Sequence, residues 1–261
     1  EFRRVLFRSG SILGKGFPRG HYFRPHVIYN AKTNKYVLWF LFYEQYEHEA
    51  PNQCIKGVAV GDSPTGPFDV HQLHVELSRP LSGDHDLYLD DDGSAYLIYS
   101  AHDFSGPIKR ANIVVERLNG DFLSSTKESA QIDAENIPCE APAMFKRNGL
   151  YYFMFDKWTD RGPEGSGARV YTAPSPFGPY QYRGNANRDD QGEIIINAQQ
   201  NTVAPIETRN GTEYIWAGDR WWSSPVMGHS FQYWYPLQFD EQGNVKRFEW
   251  IDEWTREVKL P

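Results

Sequence analysis

Three stretches place acid–base groups where a strand begins. In "GDHDLYLDDDG", Asp84, His85 and Asp86 precede the strand-forming residues Leu87 to Leu89. In "EAPAMFKRNGLYYFMF", Glu140 stands at the mouth of a hairpin. In "NAQQNTVAPI", the amides of Asn197, Gln199, Gln200 and Asn201 again come just before a strand. Two carboxylates in one site can take different roles, with one protonated to donate to a leaving oxygen and the other charged nearby, raising the first one's pKa. Amides can hold a water or bind hydroxyls. Singly, each stretch also reads as ordinary loop or solvated strand edge, where charged residues usually lie. Asp90, Asp91 and Asp92 with Gly93 are most simply a self-capping turn. Asp84 and Asp86 are not needed for that turn, and Asp84 and Glu140 are expected at corresponding places in successive repeats. Consecutive strand residues point to opposite faces, so Asp84, His85 and Asp86 are not expected to converge on a metal, and no cofactor is expected.

The elements that must position these groups are hairpins of one kind. "AKTNKYVLWF", "LDDDGSAYLIYS", "FKRNGLYYFMF" and "ETRNGTEYIWAG" each run from a polar turn into an aromatic-rich strand. Asn148-Gly149 supplies the two φ > 0 residues of a type I′ turn, and Pro142 is expected to keep Ala141 extended. The tyrosines after the turns, Tyr36, Tyr96, Tyr151 and Tyr214, are spaced by 60, 55 and 63 residues. "SPTGPF" (63–68) and "SPFGPY" (175–180) repeat one turn 112 residues apart, about two periods. Such a period fits one four-stranded blade with its loops, so the expected fold is all-β, a β-propeller with four blades in this chain. A β-sandwich is the alternative, but its strands recur every ~8–12 residues without a long superperiod. In a propeller the first strand of each blade lines the central channel, which would bring the three stretches together.

Composition narrows the partners. The 261 residues carry a net charge of −7 and a pI near 5.6, which argues against a nucleic-acid backbone or an anionic membrane. The longest apolar run, "YVLWFLFY" (36–43), is far shorter than the ~17 residues that span a bilayer, so a soluble protein is expected. Aromatics make up 15% of the chain, which suits both strand cores and sites where a ring packs on the C–H face of a sugar. Cys54 and Cys139 permit one disulfide but have no metal-ligand spacing. Asn210-Gly211-Thr212 is a glycosylation acceptor sequence. The first nine residues, "EFRRVLFRS", fit nothing that follows and back-translate to a sequencing adapter, so residues 10–261 are read as an N-terminally truncated propeller. No signal peptide would then be visible.

Taken in order, "RPHVIYNAKTNKYVLWF", "SPTGPF", "DHDLYLDDDGSAYLIYS", "EAPAMFKRNGLYYF", "QQNTVAPI", "GDRW" and "YWYPLQFD" resemble glycoside hydrolase family 43 from about Arg24 to Trp254. Within it they are most similar to the galactan 1,3-β-galactosidase (exo-β-1,3-galactanase) subgroup. The resemblance implies a five-bladed propeller, so one blade short here, and an inverting glycosidase acting on β-1,3-galactan, the arabinogalactan backbone. It implies Glu140 as the acid and Asp84 as the carboxylate that sets its pKa. It gives Gln199, with Gln200 as fallback, as the group that places the attacking water, since the subgroup lacks the aspartate base of other members. An inverting pair needs roughly 6.5–9.5 Å between the acid and the group that activates the water. Trp158 could stack on a sugar or pack at the rim. Asp219, Arg220 and Trp221 in "GDRWW" could bind hydroxyls, with an Asp219–Arg220 ion pair as the structural alternative. The chain departs from the subgroup in lacking its "HGG" and "YWYGE"-like first blade, in "GDHDLY" for the usual "RDMTLF", and in "DKWTDRGPEG" for the loop after the acid strand. An arabinofuranosidase or xylosidase, or a sugar-binding propeller without catalysis, are the other readings. The resemblance further implies a secreted monomer whose partner is a polysaccharide or oligosaccharide.

Overall fold

The computed structural model describes residues 12–44, 55–103, 110–134, 137–157, 163–226 and 229–259. Trp158 and Cys54 lie outside them. Among the described residues there are fifteen strands in four antiparallel sheets, each an up-and-down meander in chain order. The chain divides into two compact units, Glu1–Asp133 and Ala134–Pro261.

The first unit holds two four-stranded sheets. One is β1 (His21–Asn30), β2 (Lys35–Tyr43), β3 (Ile55–Gly61) and β4 (Phe68–Gln72); the other is β5 (Ser82–Leu89), β6 (Ala95–Asp103), β7 (Arg110–Leu118) and β8 (Ser125–Ile132). The apolar run in β2 is buried on both faces. Val37 and Trp39 pack with Leu97, Tyr99 and Val114 of the second sheet, while Leu38, Phe40 and Phe42 pack on Ile12, Ala59 and Phe68. A middle blade strand covered on both sides has no reason to alternate, which is why it reads as a continuous hydrophobic stretch.

The second unit holds β9 (Cys139–Arg147), β10 (Leu150–Lys157), β11 (Arg169–Ala173) and β12 (Gln181–Asn185), then a three-stranded sheet of β13 (Gln199–Thr208), β14 (Gly211–Asp219) and β15 (Gln232–Pro236). Phe145, Tyr152 and Met154 share a core with Val203, Trp216 and Tyr235. Phe248 closes this core against the Trp216 and Tyr235 rings, 5.1 and 4.7 Å between centroids.

The four aligned tyrosines all fall in the second strand of a sheet, as the period requires. Asn148 and Gly149 have φ of 51° and 77°, the left-handed pair of a type I′ turn. The two related turns join β3 to β4 and β11 to β12, each closed by a glycine N–H donating to a serine carbonyl, Gly66 to Ser63 and Gly178 to Ser175.

The first strand of every sheet carries an extra residue near its start. Arg24 and Pro25 of β1 face Phe40 alone; Gly83 and Asp84 of β5 face Ser100 alone; Ala141 and Pro142 of β9 face Phe155 alone. In β13 the insertion is Asn201, between the pairs Gln200–Gly218 and Thr202–Ala217. Ala141 is therefore not extended, as its place before a proline suggested, but left-handed at φ 55°, and Arg24, also before a proline, has φ 48°. The bulges also correct the expected equivalence of the two acids. Glu140 is the last paired residue before its bulge and corresponds to Ser82, whereas Asp84 lies two residues further on, inside its bulge.

Trp39 is wholly buried, and its indole N–H donates to the Phe122 carbonyl at 2.9 Å. Trp39→Ala empties that volume and orphans the carbonyl, and is expected to remove about 3–5 kcal/mol of stability, read as a lower urea midpoint with an unchanged slope.

Candidate active site

In the second unit the bulge in β9 sets Glu140 at the strand's mouth, partly buried, opposite Asp156 of β10. The Gln199 amide nitrogen donates to Glu140 Oε1 at 2.6 Å, and the Trp221 indole N–H donates to Gln199 Oε1 at 2.9 Å. Gln199 is the first residue of β13, paired with Asp219 at the end of β14, so the turn after β14 brings Trp221 over it. Asp156 was not anticipated as part of this surrounding. It is buried, accepts from Asn185 Nδ2 at 2.8 Å and from Arg169 Nε at 3.3 Å, and has Arg188 Nε at 3.8 Å. Beside them Cys139 is buried, and its thiol is pushed up to about 12 by that burial, with the Asp156 and Glu140 carboxylates adding to the effect.

In the first unit Asp84 is held by Arg24, whose Nη2 donates to Asp84 Oδ2 at 2.7 Å. Arg24 is itself buried, and its left-handed backbone belongs to the bulge of β1, so one bulge supplies the cation and another the carboxylate. The Lys56 ammonium donates to the Gly83 carbonyl, tying β3 to the same bulge. A Cβ on Gly83 would stand 2.6 Å from Ser100 Oγ and 2.7 Å from His102 Nε2, so only glycine fits there. Asp86 pairs with His26 at 3.1 Å, while His85 is fully buried with its ring edge-on to His26. Burial, followed by the charges of Lys56, His26 and Arg24, holds His85 well below the ordinary imidazole range. His102 is lowered to about 4, chiefly by burial, with Asp84 opposing and Lys56 assisting. Among the described residues no group of three His, Cys, Asp or Glu side chains is arranged to hold a metal ion.

Burial alone does not mark a catalytic acid. Glu116 is buried completely and accepts from the Ser78 N–H at 3.0 Å, from the Tyr99 hydroxyl at 2.7 Å, and from the hydroxyls of Ser78 and Ser125. Its oxygens are spent on the scaffold.

The sequence profile of glycosyl hydrolases family 43 matches residues 28–253. The chain belongs to that family. Family 43 folds as a five-bladed propeller, and the described residues of this chain present four blade sheets. A β-D-galactofuranosidase, xynD, of Aspergillus niger is 32% identical over 135 residues, which are 48% of this chain and 36% of that protein. The chain thus spans little more than a third of the length of that curated relative. A family 43 β-1,3-galactosidase solved with galactodeoxynojirimycin superposes with a TM-score of 0.76 at 25% identity, over 93% of this chain and 81% of that one. A second family 43 β-1,3-galactosidase superposes with a TM-score of 0.75 at 28% identity, over 90% of this chain and 46% of that one.

Within this family 43 chain the sequence-chosen residues meet different fates. Glu140, Gln199 and Trp221 form one hydrogen-bonded series. Gln200 is buried like Gln199, but its Oε1 lies 3.4 Å from the Trp216 indole nitrogen, on the core side of the strand. Asp219 and Arg220 do not pair. Asp219 accepts from Asn201 at 3.2 Å and Gln232 at 3.3 Å, while the Arg220 guanidinium lies 5.0 Å from the centre of the Trp250 ring. Alternation explains the separation, since the two are adjacent at a strand end and point apart. Arg24, Lys56 and Asp156 escaped the sequence reading. The available signal was an acidic or basic residue interrupting or ending an apolar strand.

The two buried histidines predict an acid-sensitive fold. Unfolded histidine takes its proton near pH 6.5, whereas folded His102 does so only near 4, so the unfolded state binds more protons between these values. Stability is expected to fall as pH drops from about 6.5 towards 4, with about 1.4 kcal/mol per pH unit from His102. Urea unfolding of His102→Gln across that range should show a slope shallower by that amount.

Proposed function

We propose that the protein is a glycosidase that releases galactose from β-1,3-galactan with inversion at the anomeric carbon. The observation that carries this reading is the Glu140 carboxyl, placed at an inner-strand mouth by a bulge and held by Gln199, in a family 43 chain. Both solved β-1,3-galactosidases, at 25% and 28% identity, favour the galactan substrate. Glu140 gives its proton to the glycosidic oxygen as that bond breaks, water attacks the anomeric carbon from the opposite face, and the sugar leaves with inverted configuration. Asp84, the second carboxylate of the reading, is ion-paired with Arg24 at 2.7 Å. A second reading, hydrolysis of a furanoside, is favoured by the β-D-galactofuranosidase relative.

Incubating the protein and Glu140→Gln with β-1,3-galactan, and following galactose by chromatography, tests the assignment. The parent should release galactose and the variant should lose about 10²–10⁴-fold in rate. A folded parent that is silent on galactan but cleaves an aryl galactofuranoside moves the assignment to the second reading. Equal rates in parent and variant remove Glu140 from the acid's role.

A further inference from the structure

We propose that Trp222 is a sugar-stacking residue for the leaving-group side of the substrate, gripping the galactan chain beyond the galactose that is released. This rests on the galactan reading given above.

Trp222 sits in the turn that follows β14. The turn Arg220–Ser223 is closed by the Ser223 N–H, which donates to the Arg220 carbonyl at 3.3 Å. Of its two central residues, Trp221 and Trp222, the second has a positive φ, 57°. That is the pattern of a type II turn, whose third residue is ordinarily Gly or Asn. Left-handed backbone is unfavourable for any residue with a Cβ, and for a bulky one it is a genuine outlier. Phe122 carries the same burden at φ 66°, but it is 5% exposed and core packing offsets the strain. Trp222 is 53% exposed. Strain kept without a packed core to hold it points to a use for the side chain.

Its indole N–H points the same way. Trp39, Trp216, Trp221, Trp234, Trp250 and Trp254 each direct that group at a protein acceptor. Among the described tryptophans Trp222 is the exception. A ring half in solvent offers a face for the C–H side of a sugar, and an N–H that can only donate suits a hydroxyl. The ring is also held in advance. The Arg220 N–H donates to the Phe231 carbonyl at 2.9 Å, and the Ser223 hydroxyl donates to the Arg220 carbonyl and accepts from the Phe231 N–H, both at 2.7 Å. A platform fixed before binding costs little order when a ligand arrives.

The place in the chain selects the ligand. Trp222 follows directly on Trp221, whose indole reaches Gln199, whose amide reaches Glu140. The acid protonates the oxygen of the leaving chain, so a platform beside it lies on that chain's side of the bond.

Calorimetric titration of Glu140→Gln protein with β-1,3-linked galactotriose and with galactose tests this, because the ligand then persists. Adding Trp222→Gly should weaken galactotriose binding about 3–10-fold and leave galactose binding unchanged. Trp222→Phe, which keeps a ring, should fall between the two. Glycine suits the turn, so that variant should fold; if it does not, Trp222→Asn takes its place. Unchanged galactotriose affinity in the folded variant, an equal loss for both sugars, or no galactotriose binding before the substitution would each overturn the inference. A parent that releases no galactose, while the weakening is seen, defeats the proposed hydrolysis and leaves Trp222 as a galactan-binding residue.

Discussion

A regular strand alternates its side chains between faces, so it cannot aim two neighbouring residues at one place. All four inner strands escape that rule in the same way, by gaining one residue near the start. A bulge bends the strand and re-aims the side chains around it. Glu140 ends the paired run ahead of one bulge, Asp84 lies inside another, Arg24 inside a third, and Gln199 two residues ahead of the inserted Asn201. The left-handed backbone at Arg24 and Ala141 costs roughly 1–2 kcal/mol each. That cost is offset by burial on both sides: Arg24 and Ala141 are 2% and 1% exposed.

Re-aimed polar groups need partners, because a buried donor or acceptor left unmade costs about 1–3 kcal/mol and a charge costs more. Asp156 shows how tightly this is solved. A Cβ on Gly167 would stand 1.7 Å from its Oδ2, so glycine makes room for the carboxylate, while Asn185 bonds both that oxygen and the Ala168 N–H. Facing carboxylates across two paired strands would repel. Asp156 and Glu140 hold such a place, and the Arg169 side chain beside Asp156 compensates its charge.

The blades were legible because a turn followed by an aromatic strand is a local signal that repeats. Tyr36, Tyr96, Tyr151 and Tyr214 align because each follows a hairpin turn, and the turn chemistry of Asn148-Gly149 is fixed within two residues. The bulges were not legible. Arg24-Pro25 and Ala141-Pro142 carry no glycine to announce a positive φ, and the preference of a residue before proline for extended backbone points the wrong way. Glu140 stood out as an acid at a strand mouth, and Gln199 as an amide before one. Asp156, Arg24 and Lys56 did not, because each is defined by a partner 13 to 60 residues away, which periodicity along one strand cannot reveal. Gln200 and Gln199 are indistinguishable as neighbours in sequence, and both are buried; only the register of β13 decides which meets Glu140 and which meets the Trp216 indole.

The two carboxylates differ in the company they keep. Asp84 meets a guanidinium directly, and such a partner holds a carboxylate in its charged form. Glu140 meets a neutral amide, itself fixed by a neutral indole. Among the described residues Arg169 and Arg188 lie on Asp156 and Arg220 over Trp250. An acid that must both hold and give up a proton is better served by dipoles, which orient it, than by a cation, which would strip it of that proton at any ordinary pH. Environments that push two carboxyl groups apart in protonation are how one fold supplies both an acid and a fixed charge. In this chain Glu140 accepts a hydrogen bond from an amide, and Asp84 accepts one from a buried arginine.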